Sequence, residues 1–143
     1  MWLTHRRPDP SRLVVNWTTK APGDSLVRYG PTKDYGQEVH VPGRRTLHHV
    51  EIPLPEAGPV HYAVSSGGQA SPGYTVRGYS ADVLRVAVVA NWQAKPDLTA
   101  LTRDDPHLLL TAGDNVPDLW HDCGPGVRDS VEVIHRFIHN WGE

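Results

Sequence analysis

Residues 11–30 read Ser-Arg-Leu-Val-Val-Asn-Trp-Thr-Thr-Lys-Ala-Pro-Gly-Asp-Ser-Leu-Val-Arg-Tyr-Gly. In an extended chain successive side chains point to opposite faces, so Leu13, Val15 and Trp17 share one face of a strand over Arg12–Thr18. Ala-Pro-Gly-Asp then supplies turn residues, Ser25–Tyr29 forms a second run, and Gly30-Pro31 stops it. Each run is too short, and too polar on one face, to be a helix.

Working outward, the same style continues through residues 1–78. A short strand is expected around Trp2–Thr4, and further runs cover Gln37–Val41, His48–Leu54, Val60–Ser66 and Gly73–Arg77. Short strands separated by turn signals about every ten residues predict an immunoglobulin-like or fibronectin III-like β-sandwich. Trp17 is expected inside it, as a large aromatic anchoring the core.

After Tyr79-Ser80-Ala81-Asp82 the pattern changes, and residues 84–143 read as a second region. Leu84–Ala90 is a nearly continuous β-branched run, as expected of a strand buried on both faces of a parallel sheet. Pro96–Arg103 reads as a short helix capped by Asp97, and His107–Thr111 as a second buried strand. Strand, helix, strand at this spacing is a βαβ unit. Val127, Val131, Ile134, Ile138 and Trp141 recur at helical spacing, predicting an amphipathic helix over 127–141. The fold class expected is therefore mostly β: a sandwich followed by an incomplete α/β (βαβα) segment. Two parallel strands do not make an independently stable sheet. We expect either that this is the front of a longer α/β protein, or that a second copy completes the sheet through exposed edges as a homodimer.

Composition bounds the function. The 143 residues are 38% apolar and 21% charged, which excludes a disordered chain. Lys and Arg number 14 against 16 Asp and Glu, so no basic excess points to nucleic acid or an anionic membrane. The longest apolar runs, such as Val86–Ala90, are far too short to span a bilayer. Residues 1–15 hold no apolar core of a signal peptide, and the compartment stays open. The single cysteine, Cys123, excludes an intrachain disulfide.

The chemistry-bearing feature is Gly113-Asp114-Asn115, at the carboxyl end of the second buried strand. Ligands of open α/β sheets collect at such strand ends. Asn91-Trp92 holds the matching position after the first strand, so Asn91 and Asp114 are placed to face one ion. Gly, Asp and Asn are also favoured turn residues, so on spacing alone the triplet reads first as a turn. His135 and His139 share a helical face but lack the Glu of a His-Glu-x-x-His site, and read as solvated or structural. His121-Asp122-Cys123 pairs thiol and imidazole in a Gly/Pro-rich loop without a third ligand at diagnostic spacing. His48-His49 alternates sides on its strand, with one of the two packing at the sandwich edge and neither assigned chemistry.

Taken with the order of the regions, these residues resemble the purple acid phosphatase-like, calcineurin-like metallophosphoesterases. Ser11–Thr19, Val27-Arg28-Tyr29-Gly30, Tyr35-Gly36, Thr46–Val50, His61-Tyr62-Ala63-Val64 and Tyr74–Arg77 look like that family's N-terminal fibronectin-like domain. Residues 84–115 look like the first two metal-ligand motifs of its catalytic domain. The resemblance implies hydrolysis of phosphate esters by a divalent metal pair of the Fe, Mn, Zn or Mg type. Such paired ions sit about 3.5–4 Å apart and generate a nucleophilic hydroxide. It implies that Asp114 bridges the two ions, that Asn91 stands at a first-motif position the family fills with Asp, and that Asn115 and Trp92 line the site. Asn is a neutral and weaker ligand than a carboxylate. Val116-Pro117-Asp118 stands where an iron-ligating tyrosine would be, so no purple chromophore is implied. The family's later Gly-Asn-His, single His and Gly-His-x-His motifs do not occur among these residues. The chain by itself is therefore expected to have little or no phosphatase activity. The alternative is a non-catalytic fibronectin-like binding or spacing module carrying a remnant α/β segment.

Overall fold

Strand alternation over residues 12–18 becomes the wall of a core in the computed structural model, which describes residues 1–79, 82–91 and 99–113. The chain divides into two units, Met1–Asp82 and Val83–Glu143. The described residues are mostly β, with a single short helix.

In the first unit, β1 (Trp2–Thr4), β2 (Arg12–Gly30), β3 (Gln37–Pro53), β4 (Pro59–Ser66), β5 (Gln69–Ala70) and β6 (Tyr74–Arg77) form one antiparallel sheet. The first half of β2 pairs with β1 and with the second half of β3, through Val15↔Val50 and Trp17↔His48. Its second half pairs with the first half of β3 and with β4, through Val27↔Val39 and Val27↔Val64. Strand β4 carries β5 and β6. Leu13, Val15 and Trp17 from the first half of β2 pack in one cluster with Val27 from its second half. Val50, Ile52, Val60, Tyr62 and Val64 complete the cluster. Both halves of β2 thus face a single core, in a sandwich-like arrangement of a sheet folded on itself.

Six strands stand where seven short ones are predicted over residues 1–78: β2 and β3 each run through two of the predicted segments, and β5 is an additional short strand. Ala21-Pro22-Gly23-Asp24 does not end the strand. The register shifts between Thr18 and Gly23 and again between Gly23 and Ser25, so extra residues bulge out while pairing resumes beyond them. Pro22, with no N–H to give, sits within this irregular stretch. Gly23 is required there by close approach: an added Cβ would overlap the Ser66 hydroxyl and meet the Gly67 amide nitrogen at 3.0 Å.

In the second unit, β7 (Val86–Val89), α1 (Thr99–Asp104) and β8 (Leu108–Thr111) follow in that order. The two strands are parallel and register as Val86↔Leu108 and Val89↔Thr111. Both strands are shorter than predicted, and neither is buried on both faces: Val88 is 66% exposed and Leu110 53%. Two strands cover each other only along their shared edge, and Val86, Val88, Leu109 and Leu110 stay exposed. The helix predicted over 127–141 lies outside the described residues, as do the histidines His135 and His139.

Candidate functional site

The parallel ladder of β7 and β8 continues past both strands at their carboxyl ends. Ala112 N–H donates to the Val89 carbonyl at 2.7 Å, and Asn91 N–H donates to the Gly113 carbonyl at 3.2 Å. Both tips then turn through the left-handed region, with φ of 57° at Asn91 and 98° at Gly113. Glycine reaches that region without cost, and Asn is among the few other residues that visit it routinely. The chain therefore leaves the sheet at two adjacent points.

The opposite end of the ladder is tied by Arg85 and His107. His107 N–H donates to the Arg85 carbonyl at 2.9 Å, and Arg85 N–H donates to His107 Nδ1 at 3.0 Å. That second bond puts the imidazole proton on Nε2. The Arg85 guanidinium reaches the Asp105 carbonyl at 3.2 Å and its carboxylate at 3.7 Å. Asp105 N–H also donates to the Leu101 carbonyl, closing α1. These bonds set the register that brings Asn91 beside Gly113.

Of the four residues expected at the site, the structure places Asn91, which is exposed at the tip of β7. Asp114, Asn115 and Trp92 lie outside the described residues, as does His121-Asp122-Cys123. Among the described residues, no three His, Cys, Asp or Glu side chains stand close enough to share a metal ion. On donor chemistry, Asn91 supplies one neutral amide oxygen and Asp114 one carboxylate. That set falls short of what a pair of divalent ions requires.

The first unit holds polar clusters that sequence reading missed. His48, on β3, is completely buried. Its Nδ1 lies 2.8 Å from Ser25 Oγ and its Nε2 3.0 Å from Thr19 Oγ1, and its ring stacks on Trp17 with centroids 4.7 Å apart. Burial, then the Arg45 charge, pulls its pKa below the ordinary histidine value. The adjacent His49 faces the other way, against Asn16 Oδ1 at 2.6 Å, and burial followed by Arg6 lowers its pKa too. Asp24 accepts from Gly67 N–H at 2.9 Å and pairs with His40 Nε2 at 2.8 Å; those two bonds, the amide first, hold its carboxyl below the usual range. The signal for these clusters was present only as alternation: which hydroxyl meets which ring depends on the bulge in β2. Elsewhere on this unit an open groove of about 450 Å³ is lined by Tyr29, Pro31, Leu54, Pro55, Pro59 and Val60, among others.

Compared with models of protein families and with proteins of curated function, the chain matches none.

Proposed function

We propose that this chain is the front part of a metal-dependent phosphoesterase: a fibronectin-like module followed by the opening of the catalytic sheet. The observation that carries this reading is the bond from Asn91 N–H to the Gly113 carbonyl at the carboxyl ends of two parallel strands. It places the Asn91 tip beside the start of Gly113-Asp114-Asn115, where catalytic groups of open α/β sheets gather. The pairing of the first unit supports the fibronectin-like part. One layer holds β1 with the first half of β2 and the second half of β3; the other holds the remaining halves with β4 and β6.

In this reading Asp114 and Asn91 would be the residues of this chain that hold divalent metal, with Asn115 and Trp92 beside them. A bound metal pair would polarise the phosphate ester and supply hydroxide. Because Asn91 and Asp114 fall short of a full ligand set, the chain alone should turn over an aryl phosphate little or not at all.

The second reading is a non-catalytic binding or spacing module. It is favoured by the neutral Asn91 at the strand tip and by the proline-rimmed groove on the first unit.

The test is to read the coding DNA beyond the codon for Glu143. Gly-Asn-His and Gly-His-x-His motifs, in frame or restored by a single frameshift, are the expected result. A stop codon with neither motif downstream in any frame removes the enzyme reading and leaves the module.

A further inference from the structure

We propose that His48 is an acid-sensitive clasp across the bend of β2, so that charging its imidazole releases the corner where the sheet folds on itself. The clasp spans the irregular segment of β2. Thr19 is the first residue inside the shift between Thr18 and Gly23, Ser25 is the first residue paired beyond the second shift, and one buried ring joins both hydroxyls.

The bonds fix the protonation state. Thr19 Oγ1 donates its proton to the Ala21 carbonyl at 2.8 Å, so it accepts from His48 Nε2–H. Nδ1 is then the unprotonated nitrogen and accepts from the Ser25 hydroxyl. The neutral ring is fully satisfied, and His48 has no exposed surface from which a second proton could be hydrated. Charging it would force the Ser25 hydroxyl to reverse and give up its donor role.

The surrounding charges offer little compensation. On β3, Arg45 and His49 oppose a positive His48. From β2, Asp24 favours it, but both Asp24 oxygens are already engaged by Gly67 N–H and His40. The flat stack on Trp17 adds an apolar wall, whose own indole N–H is buried without a hydrogen-bond partner among the described residues.

The sign of the pH dependence follows. The folded state holds the ring neutral below the pH at which an unfolded histidine, near pH 6.5, takes up its proton. Between those two values the unfolded chain binds one more proton, so stability is intact above about pH 6.5 and falls as the pH drops. One proton corresponds to a rise in the unfolding constant of up to about tenfold per pH unit.

The experiment follows the imidazole resonances of the full chain by NMR and its urea unfolding, both from pH 8 to pH 5. The expected result is that His48 stays in the neutral Nε2–H form well below pH 6.5 in the folded chain. In His48→Gln, whose amide reproduces one donor and one acceptor without titrating, the pH slope should flatten by up to about tenfold per unit. His49→Gln should leave the contribution of His48 in place. The proposal is overturned if His48 titrates near pH 6.5 in the folded chain, or if His48→Gln keeps the whole slope. Should His48→Gln fail to fold, the NMR titration of the unaltered chain decides alone.

Discussion

Val15 and Val88 are the same residue in the same kind of element, yet Val15 in β2 has no exposed surface and Val88 in β7 is 66% exposed. The first unit folds its sheet back on itself, so each inward side chain meets another from the facing half. In the second unit Val86, Val88, Leu109 and Leu110 remain exposed on the two paired strands. A β-branched run announces a strand; whether that strand is buried depends on what lies across it. The hydrophobic effect rewards only area actually removed from water, about 25 cal/mol per Å².

The sharpest way to break this contrast is to cut methyl groups from both units. Ile52 is fully buried, so Ile52→Ala should cost about 2–5 kcal/mol, most of it lost contact and residual cavity. Val88→Ala, at a site already open to water, should change stability by no more than about 0.5 kcal/mol. Urea unfolding of both variants checks the pair. Comparable losses would mean that β7 is covered in solution, by a second copy or by other parts of the chain, and sedimentation would then separate a dimer from a monomer.

A smaller effect probes the bend on which the first unit depends. Gly23→Ala brings a Cβ onto the Ser66 hydroxyl, which can turn away, and to 3.0 Å from the Gly67 amide nitrogen, which is backbone and already donates to Asp24. The expected loss is about 1–3 kcal/mol by the same unfolding measurement. An unchanged midpoint would show that the hairpin between β4 and β5 does not press on β2 there, and the corner would then be looser than the geometry implies.

How far each region could be read in advance follows from these physics. The face of Leu13, Val15 and Trp17 was legible because alternation is a local property, and so was the turn chemistry of Gly113. The passage of β2 through Pro22 and Gly23 was not. Breaker residues mark a place where the ladder is interrupted, and only the partner strand decides whether the chain reverses or bulges and continues. The burial of His48 was hidden for the same reason, since Thr19 and Ser25 approach it only once β2 and β3 are in register. At the strand tips, Asn91 beside Gly113 follows from parallel pairing of two apolar runs that could be read directly. The identity of further ligands does not, because ligands of such a site come from segments far apart in the chain.

A small expected stability effect carries the most about function, because the Asn91 tip can be read as a turn or as a ligand. As a turn, Asn91 is there to reach φ 57°, which Gly reaches more easily, so Asn91→Gly should be neutral or stabilising by up to about 1 kcal/mol. As a ligand, its side-chain oxygen matters and its charge matters more. Isothermal titration with Mn²⁺ should then show weakened binding in Asn91→Gly and strengthened binding in Asn91→Asp, which returns a carboxylate to the first-motif position. Asp114→Ala should abolish binding in every background. Equal Mn²⁺ binding by all three residues at position 91 would leave the tip a turn, and the exposed strands of the second unit would then differ from the buried ones of the first in packing alone.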